Sequence, residues 1–257
     1  MKILITGAAS GIAYLTSLTL AERGHEVYLT CHTKKEADNV KEKVKDYKNI
    51  TVMKVDITKE EDRQKVLDLN VDVLYNHAAM GLGGSIIEAD MDKVRENFEV
   101  NVFSSFRLLQ LVLRQMVDKD SGRIVVMSSI AGTIPIPFGG VYSATKASVT
   151  MITKSLQKEL FFMGTNVKVA IIEPGLYHTG FNQVFLDNKY DGGKYFEDIK
   201  KELYNVEHFL FKIGEKKQLD SIVVQIIRAI EDEKPKSVYR APLSYALLGR
   251  LYSIFRK

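Results

Sequence analysis

Short apolar, β-branched runs alternate with longer amphipathic stretches over the first two thirds of this chain, and that rhythm restricts the fold more than any other feature. Strands are predicted at 2–6, 26–30, 51–54, 71–75, 122–128 and 166–173. Ile124-Val125-Val126-Met127 and Val169-Ala170-Ile171-Ile172 are apolar throughout. Strands buried on both faces read this way, as in a parallel sheet covered by helices. Helical periodicity predicts segments near 11–23, 34–47, 60–68, 92–118 and 141–163. A β-α-β-α-β order implies right-handed crossovers and a doubly wound α/β sheet. The 257 residues contain no internal repeat, low-complexity tract or Pro/Ser-rich linker, so the expectation is a single domain over 1–257.

Composition narrows the partners. A formal charge of +4 is too mild to argue for nucleic acid. The one cysteine, Cys31, cannot form an internal disulfide or a Cys-rich zinc site and fits a reducing compartment. No metal site is expected. The first strand runs from Met1 into a glycine turn without the apolar core of a signal peptide, and no stretch approaches the roughly 18 apolar residues that span a bilayer. The expected location is the cytoplasm.

Two motifs carry chemistry. Thr6-Gly7-Ala8-Ala9-Ser10-Gly11-Ile12-Ala13 follows the first strand and opens the first helix. Small residues there let the backbone turn tightly and approach a pyrophosphate, which the helix N-terminus stabilises. Ser129 precedes Tyr142 by thirteen residues, and Lys146 follows Tyr142 by four. Tyr and Lys at i and i+4 share a helix face, so the ammonium is expected to lower the phenol's pKa and make it an acid/base near neutral pH. Tyr190 and Lys194 have the same spacing, but Gly192-Gly193 between them disfavours a helix and no serine lies thirteen residues upstream. That pair is read as loop.

After Gly175 the alternation weakens. Residues 176–215 mix many aromatics with charges, which suits a lid over a ligand site; a packed helical excursion with its aromatics in the core is the alternative. From 234 to 257 six basic residues and no acid accompany Tyr245, Leu247, Leu248, Leu251, Tyr252, Ile254 and Phe255. Such a basic amphipathic helix could lie on an anionic membrane surface; packing on the protein or a partner subunit is the preferred reading.

The chain resembles the short-chain dehydrogenase/reductase family over residues 1 to about 180. The motifs are Thr6-Gly7-xxx-Gly11, Val55-Asp56-Ile57-Thr58, Asn76-His77-Ala78-Ala79, Asn101, Ser128-Ser129-Ile130-Ala131-Gly132, Tyr142-xxx-Lys146 and Pro174-Gly175-xxx-Thr179, in the family's order. The resemblance implies a Rossmann-like fold and a nicotinamide-dependent oxidoreductase acting on carbonyl or alcohol groups of a small molecule, and the aromatic-rich 176–215 segment suggests that this molecule is apolar. Tyr142 would be the general acid/base. Lys146 would lower its pKa and bond the nicotinamide ribose, Ser129 would orient the reacting oxygen, and Asn101 would hold a water linking Lys146 to solvent. Gly7, Ser10, Gly11 and Ile12 would cradle the cofactor's phosphates. Asp56 and Ile57 would meet its adenine, Asn76 and Ala78 its adenosine ribose, and Pro174, Gly175 and Thr179 its carboxamide. The family's usual Asn-Asn-Ala-Gly reads Asn76-His77-Ala78-Ala79 here, and His77 is read as a hydrogen-bonded structural residue.

NAD-binding proteins of this fold place an acid after the second strand for the ribose 2′-hydroxyl, whereas NADP binders omit it and add positive charge. Here Cys31-His32-Thr33-Lys34-Lys35 has no carboxylate before Glu36, so NADP(H) is expected, with His32 and Lys34 near the 2′-phosphate. The alternatives are an NAD-dependent alcohol dehydrogenase and a non-catalytic NADP-binding sensor, which would need the glycine turn but not the tetrad. The resemblance also implies a homodimer or homotetramer, associating through the helices near 92–118 and 141–163.

Overall fold

The computed structural model describes residues 1–182, 194–245, 247 and 252. Seven parallel strands form one sheet in the order β3-β2-β1-β4-β5-β6-β7. They are β1 (Lys2–Ile5), β2 (Glu26–Cys31), β3 (Ile50–Lys54), β4 (Val73–Asn76), β5 (Arg123–Met127), β6 (Lys168–Pro174) and β7 (Val238–Ala241). The fold is the doubly wound, Rossmann-like sheet expected. Successive side chains alternate between two cores: Ile3 and Ile5 enter one, Leu4 the other.

The first core is closed by α1 (Gly11–Glu22), α2 (Lys34–Lys43) and the helix preceding β7; the second is closed by α3 (Glu60–Leu67) and the long helices of the middle of the chain. The stretch expected as one helix over 92–118 is in fact α4 (Met91–Phe98), a π-helical segment Glu99–Ser104, and α5 (Ser105–Asp118). One helix, α6 (Gly140–Met163), then runs as expected to a left-handed cap at Gly164. Two further helices among the described residues are α7 (Lys200–Gly214) and α8 (Asp220–Glu231), the second of which buries Ile222, Val223, Ile226, Ile227 and Ile230.

Two expectations are corrected. The segment from 234 onward does not begin as an amphipathic helix: Val238–Ala241 pair with Ile171–Pro174 as the seventh strand, and helix resumes only at Leu243–Tyr245. Val238, Tyr239 and Ala241 are β-formers or small, and sheet pairing to β6 outweighs the helical spacing of the residues after them. The 176–215 segment is not irregular throughout, because α7 occupies its second half. Val206, Phe209 and Ile213 on that helix are exposed, so its apolar face does not serve the core. Tyr190 and most of the basic tail lie outside the described residues.

Candidate active site

Chain order runs β1, β2, β3 outward and then returns to β4 on the other side of β1, so the sheet's topological switch lies between β1 and β4. Ligands of such sheets bind beyond the strands' C-terminal ends at this point. The residues after β1 to β6 that the sequence singled out all collect along that edge.

The glycine turn has the required geometry. Gly7 and Gly11 sit at φ +65 and +62, in the left-handed region. A Cβ on Gly7 would lie 2.8 Å from Ala78 Cα, and one on Gly11 would lie 3.1 Å from Thr179 Cβ. Ser10 precedes α1 in extended conformation, its hydroxyl makes no cap hydrogen bond, and the first turn carries no acid. The first N–H groups of α1 are thus left to an external anion, as a pyrophosphate site needs. The cradle fits a dinucleotide.

Thr6 fastens this turn to β4: its Oγ1 accepts from His77 N and Ala78 N, each at 2.9 Å. Asn76 points inward, its Nδ2 donating to Ser105 O and Oγ at 3.0 Å. Its side chain therefore ties β4 to α5, leaving the backbone of this stretch, with Ala78, to face the crevice. Asp56 accepts from Thr58 N at 2.9 Å and Thr58 Oγ1 at 2.7 Å. Burial raises its pKa, but those bonds and the charges of His32 and Lys54 hold the carboxyl below the usual range. His32 Nε2 stands 3.5 Å from Asp56 Oδ2, its side chain 69% exposed. Glu36 is occupied elsewhere: it closes a capping box with Thr33, whose N donates to Glu36 Oε2 at 3.0 Å while Glu36 N donates to Thr33 Oγ1 at 3.2 Å. Cys31 is fully buried, and burial and the nearby Glu36 charge push its thiol up to about 11.

Ser129 follows β5, and Tyr142 and Lys146 lie in the first two turns of α6. Ser129 Oγ accepts from Ala131 N at 3.1 Å, and its hydroxyl hydrogen-bonds the Tyr142 phenol. Burial pushes that phenol above its usual pKa, and the Ser129 bond pulls the other way. Lys146 Nζ donates to Met127 O at 3.1 Å and stands 5.7 Å from the Tyr142 ring centroid. Burial brings the Lys146 ammonium down to about 8. The neighbouring Ser128 is structural, bonded to Lys146 O and Thr150 Oγ1.

Asn101 lies in the π-helical segment, a feature common at functional sites. Its Oδ1 accepts from Met80 N at 2.8 Å, and its Nδ2 donates to Met80 O at 2.9 Å and Thr145 Oγ1 at 3.1 Å. Thr145 in turn donates to Tyr142 O at 2.7 Å. Neither Thr145 nor the Met80 backbone stood out in the sequence; only the helical offset of Thr145 from Tyr142 could have pointed to it.

A family model described as short chain dehydrogenase matches residues 1–189. This chain belongs to the short-chain dehydrogenase family. It is a short-chain oxidoreductase. A 3-ketodihydrosphingosine reductase of Bacteroides thetaiotaomicron is 34% identical over 185 residues, which span 70% of this chain and 65% of that relative. A short-chain dehydrogenase/reductase from Burkholderia phymatum in complex with NAD superposes with a TM-score of 0.83 at 19% identity, over 97% of this chain and 92% of that one. A short-chain dehydrogenase from Sphingobium yanoikuyae in complex with NADPH gives 0.75 at 22% identity, over 100% of this chain and 95% of that one. Both show the dehydrogenase fold. Among the described residues no helix is long and apolar enough to cross a membrane.

Proposed function

We propose that this short-chain dehydrogenase interconverts a carbonyl and an alcohol with NADP(H), Tyr142 acting as general acid/base. The observation that carries this reading is the meeting of Ser129, Tyr142 and Lys146 beside the glycine turn that fits a dinucleotide. The nicotinamide, when bound, supplies or takes the hydride. Tyr142 gives its proton to the substrate oxygen, and the Ser129 hydroxyl holds that oxygen in place. Lys146, charged below about pH 8, stabilises the phenolate left behind and bonds the cofactor's ribose. Asn101 fixes the Met80 backbone and, through Thr145, the turn of α6 that carries Tyr142.

NADP(H) is supported by the residues beyond β2: the first carboxylate, Glu36, is spent on capping α2, while His32, Lys34 and Lys35 are exposed. The relatives' cofactors differ, so the preference rests on these residues. An apolar, lipid-like substrate is supported by Phe181, Phe138 and Phe196 around the site and by the keto lipid in the Bacteroides relative's name. The proposed location is the cytoplasm, and the proposed assembly a homodimer or homotetramer.

The test is NADPH consumption against a panel of ketones. Tyr142→Phe should lower kcat by about 10²–10⁴-fold. Undiminished turnover by that variant removes the mechanism. NADPH should bind more tightly than NADH, with the gap narrowed in Lys34→Ala; equal affinities in the wild type remove the cofactor assignment.

A further inference from the structure

The loop after β6 bridges the crevice. Thr179 packs over Gly11, and two residues later Phe181 reaches the opposite lip. The Phe181 ring lies 5.5 Å from the Tyr142 ring, tilted by 51°. Its Cζ is 3.0 Å from where a Cβ on Gly81 would stand, so the absence of a side chain at 81 is what seats the ring. The backbone is held on both sides: Phe181 N donates to Thr179 Oγ1 at 3.4 Å, and Asn182 Nδ2 donates to Tyr177 O at 3.0 Å and Glu215 Oε1 at 2.8 Å. The last bond ties the loop to the end of α7. An aromatic side chain has only two torsions, and one pinned in this way acts as a wall.

The other boundary of the site differs. Ile86 abuts Gly140 at the start of α6, its Cδ1 2.7 Å from where a Cβ there would stand, and Phe138 meets Phe196 edge to face at 5.0 Å. Glu88, just beyond Ile86, accepts from the backbone N–H groups of Lys194 and Tyr195. That boundary is apolar and built from several segments. The phenol that serves the substrate oxygen therefore has a tight flank at Phe181–Gly81, with the apolar residues Ile86, Phe138 and Phe196 at the other boundary.

We infer that Phe181 is the specificity-determining residue of this site: it admits carbonyl compounds with one slim substituent on the carbonyl carbon and leaves the apolar flank for a long hydrocarbon chain. This rests on the carbonyl-reductase reading above. The preferred substrate class is the long-chain ketone with its carbonyl near one end. Steric selection by a hydrophobic wall is worth about 10–200-fold per methylene.

Isomeric ketones test this with hydrophobicity held constant. The full-length protein is assayed with 2-decanone and 5-decanone, which differ in the shorter flank, using NADPH and NADH. Wild type should prefer 2-decanone by at least about tenfold in kcat/KM. Phe181→Ala should reduce that ratio by about tenfold, through a gain on 5-decanone. Phe181→Leu, which keeps most of the apolar volume, should fall between the two and carries the test if the alanine variant does not fold. A ratio unchanged within about twofold in these variants, with turnover retained, overturns the assignment of Phe181 and leaves the carbonyl-reductase reading intact. Consumption of cofactor with neither ketone, nor with any other ketone, overturns that reading and this one with it.

Discussion

The imidazole of His77 meets the Tyr75 ring edge-on at 5.4 Å, and its Nδ1 is buried without a hydrogen-bond partner. Burial and the Lys146 charge together bring its pKa down to about 4, against the upward pull of the Thr6 and Gly7 carbonyls. Between about 4 and the unfolded value near 6.5 the unfolded chain binds a proton that the folded one does not. The resulting stabilisation is complete above about pH 6.5 and drains away as pH falls toward 4. His77→Asn, the family's usual residue, removes that titration. Urea midpoints should therefore fall less steeply between pH 6.5 and 4 in the variant. Carboxylates held low, such as Asp56 and Glu231, titrate in both proteins and cancel in the difference. Parallel curves would show that His77 stays protonated in the fold. The tetrad positions were legible in the sequence because each is a residue type at a fixed spacing. The neutrality of His77 was not, because it follows from burial beside a lysine brought in from α6, and burial likewise raises the Tyr142 phenol.

Six of the seven strands could be read from apolar runs bounded by turns, and α1, α2, α3 and α6 from periodicity. What the pattern concealed were places where tertiary contacts decide local structure. The π-helical turn at Glu99–Ser104 lies inside an unbroken helical pattern, yet it places Asn101 against Met80. The seventh strand hides in a basic segment that looked helical, and just beyond it Tyr245 performs a role no spacing announces. A Cβ on Gly175 would lie 2.5 Å from the Tyr245 ring, and one on Gly214 would lie 2.7 Å from its hydroxyl, which donates to Gly214 O at 3.2 Å. Tyr245 thus braces the loop after β6 against the end of α7, next to the short parallel bridge between Tyr177 and Lys216. Misplacing site groups by about 1 Å can cost 10²-fold in rate, so Tyr245→Ala should lower kcat/KM by about 10–100-fold. Tyr245→Phe keeps the ring and should stay within about fivefold of wild type, since one hydrogen bond is worth about 1 kcal/mol. Equal losses in the two variants would move the role from the ring to the hydroxyl, and no loss in either would remove the brace. Truncation after Ser244 should behave like the alanine variant, so it cannot serve alone as a test of membrane binding by the tail.

The whole molecule carries more apolar surface on one pair of helices than a solitary domain has reason to display. Phe161 and Phe162 are 80% and 84% exposed at the end of α6, with Met151 and Met163 exposed on the same helix. Phe103 and Phe106 are exposed where the π-helical turn enters α5, and Phe103 lines an open, mainly apolar groove of about 470 Å³ with Val94, Arg95, Glu96, Phe98 and Glu99. Contiguous apolar surface on a folded protein marks an interaction site, and these are the helices through which the family resemblance places self-association. The proposed assembly should appear as a dimer or tetramer in sedimentation equilibrium at micromolar concentration, with a melting temperature that rises with protein concentration, because assembly stabilises only the folded chain. Exposed side chains contribute little to the fold of a single chain, so Phe103→Glu/Phe106→Glu should leave the far-UV circular dichroism spectrum unchanged. In that variant the mass should fall to the monomer's and the concentration dependence should vanish, because an unpaired carboxylate is costly at a buried interface centre. Phe161→Glu/Phe162→Glu separates the two helices' shares. Monomeric wild type at every concentration would refute self-association, and an oligomer indifferent to both double variants would place its interface elsewhere on the surface.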